Sequence, residues 1–93
     1  MPETQELLEP IDIDTITEGF TLILFNDSNH EFEEVIEQVM KATGYSYHRS
    51  EEITMEAHNK GRAAVVMGEL EKCLKAQSIL EEIHLRTSIE VNV

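Results

Sequence analysis

The sequence is short of basic residues, and this shortage excludes two classes of partner. Seven lysines and arginines stand against 19 aspartates and glutamates, which gives a formal net charge of −12. Phosphate backbones and anionic membrane surfaces repel so negative a chain. We therefore expect neither nucleic acid nor a membrane surface as a partner.

Cysteine and long apolar runs are also scarce. Cys73 is the single cysteine, so it has no partner for a disulfide or for a CxxC site, and its helical spacing predicts a small packed side chain. No run reaches the roughly 18 to 20 apolar residues that span a bilayer, and residues 1–19 lack the regions of a signal peptide. We expect a soluble, cytoplasmic protein.

Signatures of catalysis and metal binding are missing as well. His30, His48 and His84 have no partner at HExxH or HxH spacing, so we expect surface roles for them. There is no GxSxG motif, no phosphate-cradling glycine loop and no Ser or Cys beside an evident base. The sequence predicts a protein that is not an enzyme and that needs no metal or cofactor.

The 93 residues divide into an acidic extension and one folded domain. Residues 1–19 contain six acidic residues and no basic one, and their apolar residues keep neither helical nor strand period, which is typical of a mobile arm. Residues 20–93 contain enough apolar side chains for one small core. The high net charge favours a monomer.

The first half of the domain shows one strand and one helix. The apolar run Phe20–Phe25 predicts a central strand that is covered on at least one face. Ser28 and Glu31 form a capping-box pattern, which predicts the start of a helix whose apolar residues recur every three or four positions. Gly44 is placed to end this helix.

A second helix is predicted from the Ser46 cap to about Asn59, with Gly61 ending it. Its inward stripe is thin and partly polar. A helix with so little apolar surface either lies at the edge of the core or lends one face to a ligand. The stripe consists of Ser50, Ile53, Thr54, Ala57 and His58.

The second half predicts a strand at residues 62–67, a helix after Gly68 and a last strand from Leu85, which alternates apolar and polar residues to Val93. The order is β-α-α-β-α-β, an α+β class. We expect a small sandwich with three helices over one face of a three-stranded antiparallel sheet. The inward residues predicted for the third helix are Leu70, Cys73, Leu74, Gln77 and Leu80.

Asn26 and Asp27 end the first strand, and His58 stands near the end of the second helix. If both helices flank that strand, three hydrogen-bond acceptors converge. A neutral imidazole nitrogen, an amide oxygen and a carboxylate suit a compact cation with three donors, such as an ammonium group. From spacing alone, a turn pair and a helix-ending histidine are the simpler interpretation.

The stretches LILFNDSNHEFEEVIEQVM and EAHNKGRAAVVMGELEKC, followed by the alternating last strand, resemble the ClpS family. Its members are bacterial adaptors that deliver N-degron substrates, proteins marked by a destabilising first residue, to an AAA+ Clp protease. The resemblance covers about residues 20–93 and rests on ND after the first strand and HxxG[KR]A after the second helix. It implies the sandwich fold expected above.

The resemblance also implies partners and site residues. The partners are substrates beginning with Leu, Phe, Tyr or Trp and the N-terminal domain of a ClpA- or ClpC-type unfoldase, with Glu71 and the nearby Lys75 at the docking surface. Asn26, Asp27 and His58 match the residues that hold the substrate's ammonium group. The matching hydrophobic pocket consists of Leu24, His30, Phe32, Val35, Thr54, Ala57 and Leu85.

The pocket departs from the family pattern at its entrance. Phe32 stands where a methionine is common, Thr54 where an apolar residue is frequent, and His30 and Ser28 where Thr and Asp are common. A larger side chain at position 32 narrows the pocket, which favours Leu or Phe over Trp as the first residue.

Two alternatives remain open at this point. One is an interaction domain like the C-terminal domain of the ribosomal stalk protein, which would use a charged helical face and would not need Asn26, Asp27 or His58. The other is a regulator that binds the Clp machine without reading N-degrons.

Overall fold

The computed structural model describes residues 19–92, which form a three-stranded sheet and three helices in the predicted order β-α-α-β-α-β. Most of the predicted acidic extension, residues 1–18, lies outside the described residues, and so does Val93. The elements are β1 (Phe20–Phe25), α1 (Phe32–Thr43), α2 (Tyr47–Lys60), β2 (Arg62–Gly68), α3 (Leu70–Leu80), a 3₁₀ turn (Glu81–Ile83) and β3 (Thr87–Val91).

β1 is the central strand, as predicted, and pairs antiparallel with both neighbours in the order β2-β1-β3. Phe25 at the end of β1 lies opposite Arg62 at the start of β2. The next residue, Asn26, donates its backbone N–H to the carbonyl oxygen of Gly61 at 3.0 Å. The turn after β1 is thereby tied to the junction between α2 and β2.

A β-bulge in β2 explains why two consecutive residues of this strand are buried. Leu22 pairs with Val66 but Ile23 pairs with Ala64, so Val65 is the extra residue. Val65 and Val66 are both buried in the core because the bulge shifts the alternation by one position. The hydroxyl of Tyr45 donates to the carbonyl oxygen of Val65 at 2.8 Å, so this carbonyl of the bulged residue has a hydrogen-bond partner.

The core lies between the sheet and the helices. Leu22 and Leu24 of the central strand belong to one buried cluster with residues of all three helices, and α1 packs against both other helices. The larger side chains below 2 % exposure are Leu22, Leu24, Ile36, Val39, Ile53, Val65 and Leu80. This packing holds the end of β1 next to the helices.

The capping-box prediction for α1 is wrong. The helix begins at Phe32, with Glu31 as its N-cap and no side-chain capping hydrogen bond. The reason is the preceding turn, in which the Asp27 carboxylate accepts the backbone N–H of Asn29 at 2.6 Å. This local contact competes with helix formation around Ser28.

The other helix ends agree with the sequence patterns. Gly44 and Gly61 adopt left-handed backbone conformations, with φ of 80° and 91°, and end α1 and α2. Ser46 caps α2, because its hydroxyl accepts the backbone N–H of Arg49 at 3.1 Å.

The inward face of α3 differs from the prediction. Cys73 and Leu80 are buried as expected, but Leu70 and Leu74 are 41 % and 49 % exposed, and Ala76 is buried instead. Two apolar stripes overlap on this helix. The stripe that packs against α1 and the sheet is the one that contains the small side chains of Cys73 and Ala76. The predicted inward position of Gln77 is half-buried.

The last strand is shorter than predicted and is not uniformly buried on one face. Leu85 is buried but precedes β3, and its N–H donates to the Leu80 carbonyl at the end of α3. Ile89 packs against the core, whereas Val91 is 64 % exposed. Alternation predicts which side chains share a face, but it does not predict how far the covering helices extend.

Candidate functional site

A small cavity at the end of β1 draws its lining from β1, the following turn, α1, α2 and the segment before β3. All ten residues predicted for the amine site and the hydrophobic pocket line it. Phe25 is the additional member, and its place directly before the Asn-Asp pair is the signal that could have identified it. The lining consists of Leu24, Phe25, Asn26, Asp27, His30, Phe32, Val35, Thr54, Ala57, His58 and Leu85.

Two backbone features bring the polar residues of the cavity together. The hydrogen bond from Asn26 to Gly61 joins the turn after β1 to the end of α2. His58 lies in the last turn of that helix, and Gly61 reverses the chain immediately afterwards. His58 therefore lies on the same rim as Asn26 and Asp27.

The floor of the cavity is apolar and buried. Leu24, Ala57 and Leu85 are 1 %, 3 % and 3 % exposed, and Val35 is buried too. Thr54 is also buried, and its hydroxyl is already satisfied because it donates to the Ser50 carbonyl oxygen at 2.9 Å. The floor is thus suited to an apolar side chain.

Asp27 and His30 are in contact inside the turn, and they form an ion pair when His30 is protonated. His30 Nδ1 lies 2.9 Å from Asp27 Oδ2, and the two side chains are 15 % and 13 % exposed. On its other side, His30 Nε2 lies 2.6 Å from the Ile83 carbonyl oxygen. The expected surface role is therefore wrong for His30, which is half-buried; His48 and His84 are exposed.

The pair shifts both pKa values toward the charged forms. The Asp27 carboxylate raises the pKa of His30, the Ile83 carbonyl adds to this rise, and burial opposes it. Burial also opposes ionisation of Asp27, but the N–H of Asn29 and the contacts with His30 outweigh it and lower the pKa of that carboxyl. The Asp27 carboxylate is therefore available as an anion at neutral pH.

Phe32 stands at the mouth of the cavity against His58. The two rings meet edge to face, with centroids 5.7 Å apart and an interplanar angle of 89°. The cavity volume is about 30 Å³, room for no more than about two water molecules. A bulky side chain needs more room than this, so its binding requires the lining to open, and Phe32, at 38 % exposure, is not buried in the core.

Glu71 and Lys75, the residues predicted for docking, lie away from this cavity on α3. Their charged groups are 3.7 Å apart, and the side chains are 75 % and 76 % exposed. Leu70 and Leu74 are exposed on the same helix. Together, Leu70, Glu71, Leu74 and Lys75 form the surface that we call the outer face of α3. A hollow of about 340 Å³, which Glu71, Lys75 and residues of α1 and β2 line, borders this face.

Within residues 19–92, no three His, Cys, Asp or Glu side chains lie together as a set that could hold a metal ion. None of the helices in that stretch combines the length and the apolar character needed to cross a membrane.

Comparison with known proteins identifies one family. A family model described as ATP-dependent Clp protease adaptor protein ClpS matches residues 16–88. Among solved structures, ClpS2 from Agrobacterium tumefaciens bound to L-phenylalaninamide matches with a TM-score of 0.76 and 20 % sequence identity, over 82 % of this chain and 99 % of that chain. At this identity the likeness shows a shared fold. None of the curated proteins matches the chain in sequence.

Proposed function

Since the matching family model covers most of its length, the chain belongs to the ClpS family of ATP-dependent Clp protease adaptor proteins, and we propose that it reads N-degrons through the cavity at the end of β1. In this proposal Asn26, Asp27 and His58 hold the free α-amino group of a substrate. The apolar floor receives a bulky first side chain such as Leu, Phe, Tyr or Trp.

The observation that carries the proposal is the convergence of three acceptors above an apolar floor. Asn26 contributes an amide oxygen, Asp27 a carboxylate and His58 a ring nitrogen, and all three line one cavity. An ammonium group has three N–H donors, and burying its charge is costly unless each donor has a partner. The charge of Asp27, favoured by its lowered pKa, supplies the counter-ion.

The same arrangement explains the selectivity for a free N-terminus. Burying apolar surface contributes roughly 25 cal/mol per Å², so the floor favours a large first side chain. An acetylated or internal residue brings no ammonium group and leaves the three acceptors without a charged partner. The ligand of the Agrobacterium tumefaciens ClpS2 structure, L-phenylalaninamide, combines both required groups and supports the proposal.

A peptide titration tests this function. We expect a fluorescent peptide beginning with Phe to bind, and its N-acetylated form to bind about tenfold or more weakly, because a hydrogen bond to a charged group is lost. His58→Ala should weaken binding to a similar extent. His48→Ala is the matched control, since His48 lies on the same helix, 81 % exposed and outside the cavity lining.

Binding that does not depend on the free amine or on His58 would reject the proposed site. A second function, a regulator that binds the Clp machine without reading N-degrons, is favoured by one observation, the small volume of the cavity. A folded protein that binds no peptide with a bulky first residue would support this regulator.

For the unfoldase, we expect the outer face of α3 to dock on the N-terminal domain of a ClpA- or ClpC-type protein, with the adaptor acting as a cytoplasmic monomer. The exposed Leu70 and Leu74 support this surface, because large apolar side chains on a helix face often mark an interface. Glu71 and Lys75 supply charges beside them.

A further inference from the structure

A second, polar hollow adjoins the candidate site. Its volume is about 350 Å³, and it shares Asn26 and Asp27 with the first cavity, so these residues form a wall between the two. The other residues lining it are Ser28, Asn29, His84 and Arg86. A group bound by Asn26 and Asp27 in the first cavity is therefore next to this hollow.

Arg86 is held in place at this hollow. Its carbonyl oxygen accepts the backbone N–H of Phe25 at 3.0 Å, which fixes its main chain beside the end of β1. Its guanidinium lies over the Phe25 ring, 5.0 Å from the centroid, and this cation–π contact restrains the side chain.

Among residues 19–92, no carboxylate forms an ion pair with Arg86. Arg62 also lies over Phe25, at 5.8 Å, but its guanidinium is paired with Glu90 at 2.7 Å. Arg86 forms no such pair with any of residues 19–92. Asp27, the acidic residue that lines the hollow, already contacts His30. Within the part of the chain that the structure describes, the hollow thus contains one arginine without a carboxylate partner.

A substrate held as proposed above brings its second residue to this place. Consecutive Cα atoms are about 3.8 Å apart, so a first residue held at Asn26 and Asp27 places the next side chain within reach of the adjoining hollow. We propose that this hollow binds the second residue of the substrate and that Arg86 makes it prefer an acidic side chain there. This inference rests on the proposed function and adds a second position to the recognised sequence.

Two peptides that differ only at the second residue test the preference. Phe-Glu and Phe-Gln peptides are titrated at low ionic strength against the native protein, Arg86→Gln and Arg49→Gln. We expect the Glu peptide to bind about two- to fivefold more tightly to the native protein, as for a partly exposed ion pair. Arg86→Gln should bring the ratio to about one.

Arg49→Gln is the control for the loss of one positive charge. The Arg49 guanidinium also lies over an aromatic ring, 5.6 Å from the centroid of Tyr45, but Arg49 does not line the hollow. Its Glu-to-Gln ratio should equal that of the native protein. A native ratio of one, or a ratio that Arg86→Gln leaves unchanged, overturns the preference. A Phe-Gln peptide with Glu at its third position is titrated as well, and a gain from that Glu with none from Glu at the second position overturns the placement.

Binding of the neutral Phe-Gln peptide reports on the proposed function alone. If it binds and the Glu preference is absent, only the inference about Arg86 fails. If no Phe peptide binds to the folded protein, the proposed function fails and this inference fails with it.

Discussion

The cavity at the end of β1 is assembled from β1, α1, α2 and the segment before β3, whereas the outer face of α3 belongs to one helix. Most of the apolar residues of the cavity are buried, and Leu24 is 1 % exposed. On the outer face of α3, Leu70 and Leu74 are almost half exposed. Core packing fixes the positions of the first set, and it leaves the second set to a partner.

The polar groups of the two regions differ in the same way. Asp27 and His30 are largely buried and have further partners in the Asn29 N–H and the Ile83 carbonyl. Glu71 and Lys75 are exposed, and so loose a surface pair contributes little to folding. The region proposed to recognise one chemical group is thus anchored by polar contacts within the fold, and the region proposed to contact another protein lies on its surface.

The largest expected effect is on the free energy of unfolding, and it appears when a leucine is replaced by alanine in each of the two regions. Leu24→Ala removes a buried side chain of the core and the cavity floor, and we expect it to cost about 2–5 kcal/mol of unfolding free energy. Leu74→Ala should change that free energy by less than about 0.5 kcal/mol, because Leu74 is 49 % exposed. Urea unfolding measures both.

For binding to the unfoldase, we expect the substitution on the outer face of α3 to have the clear effect. Leu74→Ala should keep its affinity for a Phe peptide and should lose about fivefold or more in affinity for the unfoldase's N-terminal domain, measured by calorimetry. An unchanged affinity for that domain would show that docking does not use the outer face of α3.

The cavity was more predictable from sequence than the outer face of α3. From spacing alone, Asn26, Asp27 and His58 favoured a simple turn pair and a helix-ending histidine. The resemblance to the ClpS family implied them as one site, together with the seven pocket residues, and the order of elements brings the element ends together. The apolar run of β1 also predicted a central strand, because a strand whose side chains are shielded on both faces is apolar along its length, and residues 21–24 are all buried.

The orientation of α3 was not predictable from its period. Leu70 and Leu74 compete with Cys73 and Ala76 for the inward face, and the choice depends on how closely the helix approaches its neighbours. The bulge at Val65 is likewise invisible in the alternation of β2. Both features depend on contacts between distant parts of the chain.

The intermediate effect concerns Phe32, which closes the cavity. Because the closed volume is about 30 Å³, we expect the native protein to bind peptides beginning with Leu or Phe more tightly than one beginning with Trp. Phe32→Ala should raise the affinity for Trp relative to Leu about tenfold, which corresponds to roughly 50 Å² of additional buried apolar surface. Competition titrations with the three peptides measure the ratio.

Phe32→Tyr is the matched control, because it keeps the ring at the entrance and should keep the native ranking. The fold should tolerate both changes, since Phe32 is 38 % exposed. Native protein that bound Trp as tightly as Leu would contradict the narrow entrance.

The smallest effect is a pH dependence from the Asp27–His30 pair. In the proposed site, protonated His30 would compete with the substrate's ammonium group for the Asp27 carboxylate. The pKa of His30 is raised above 6.5, mainly by Asp27 and to a smaller extent by the Ile83 carbonyl and by Glu34. We therefore expect peptide affinity to rise about threefold as the pH increases through this raised pKa. It should fall again where the peptide's α-amino group, with a pKa of about 7.7–8.0, loses its proton.

Folding stability should change in the opposite direction over the same range. A raised pKa means that the folded state binds the His30 proton more tightly than the unfolded state does. The resulting stabilisation is complete below pH 6.5, and it is lost as the pH rises through the pKa that His30 has in the folded protein. His30→Gln should remove both trends, and His48→Gln, which changes an exposed histidine of α2, should remove neither. Peptide titrations and urea unfolding at a series of pH values measure the two curves. If His30→Gln kept the rise in affinity, the competition for Asp27 would not be its cause.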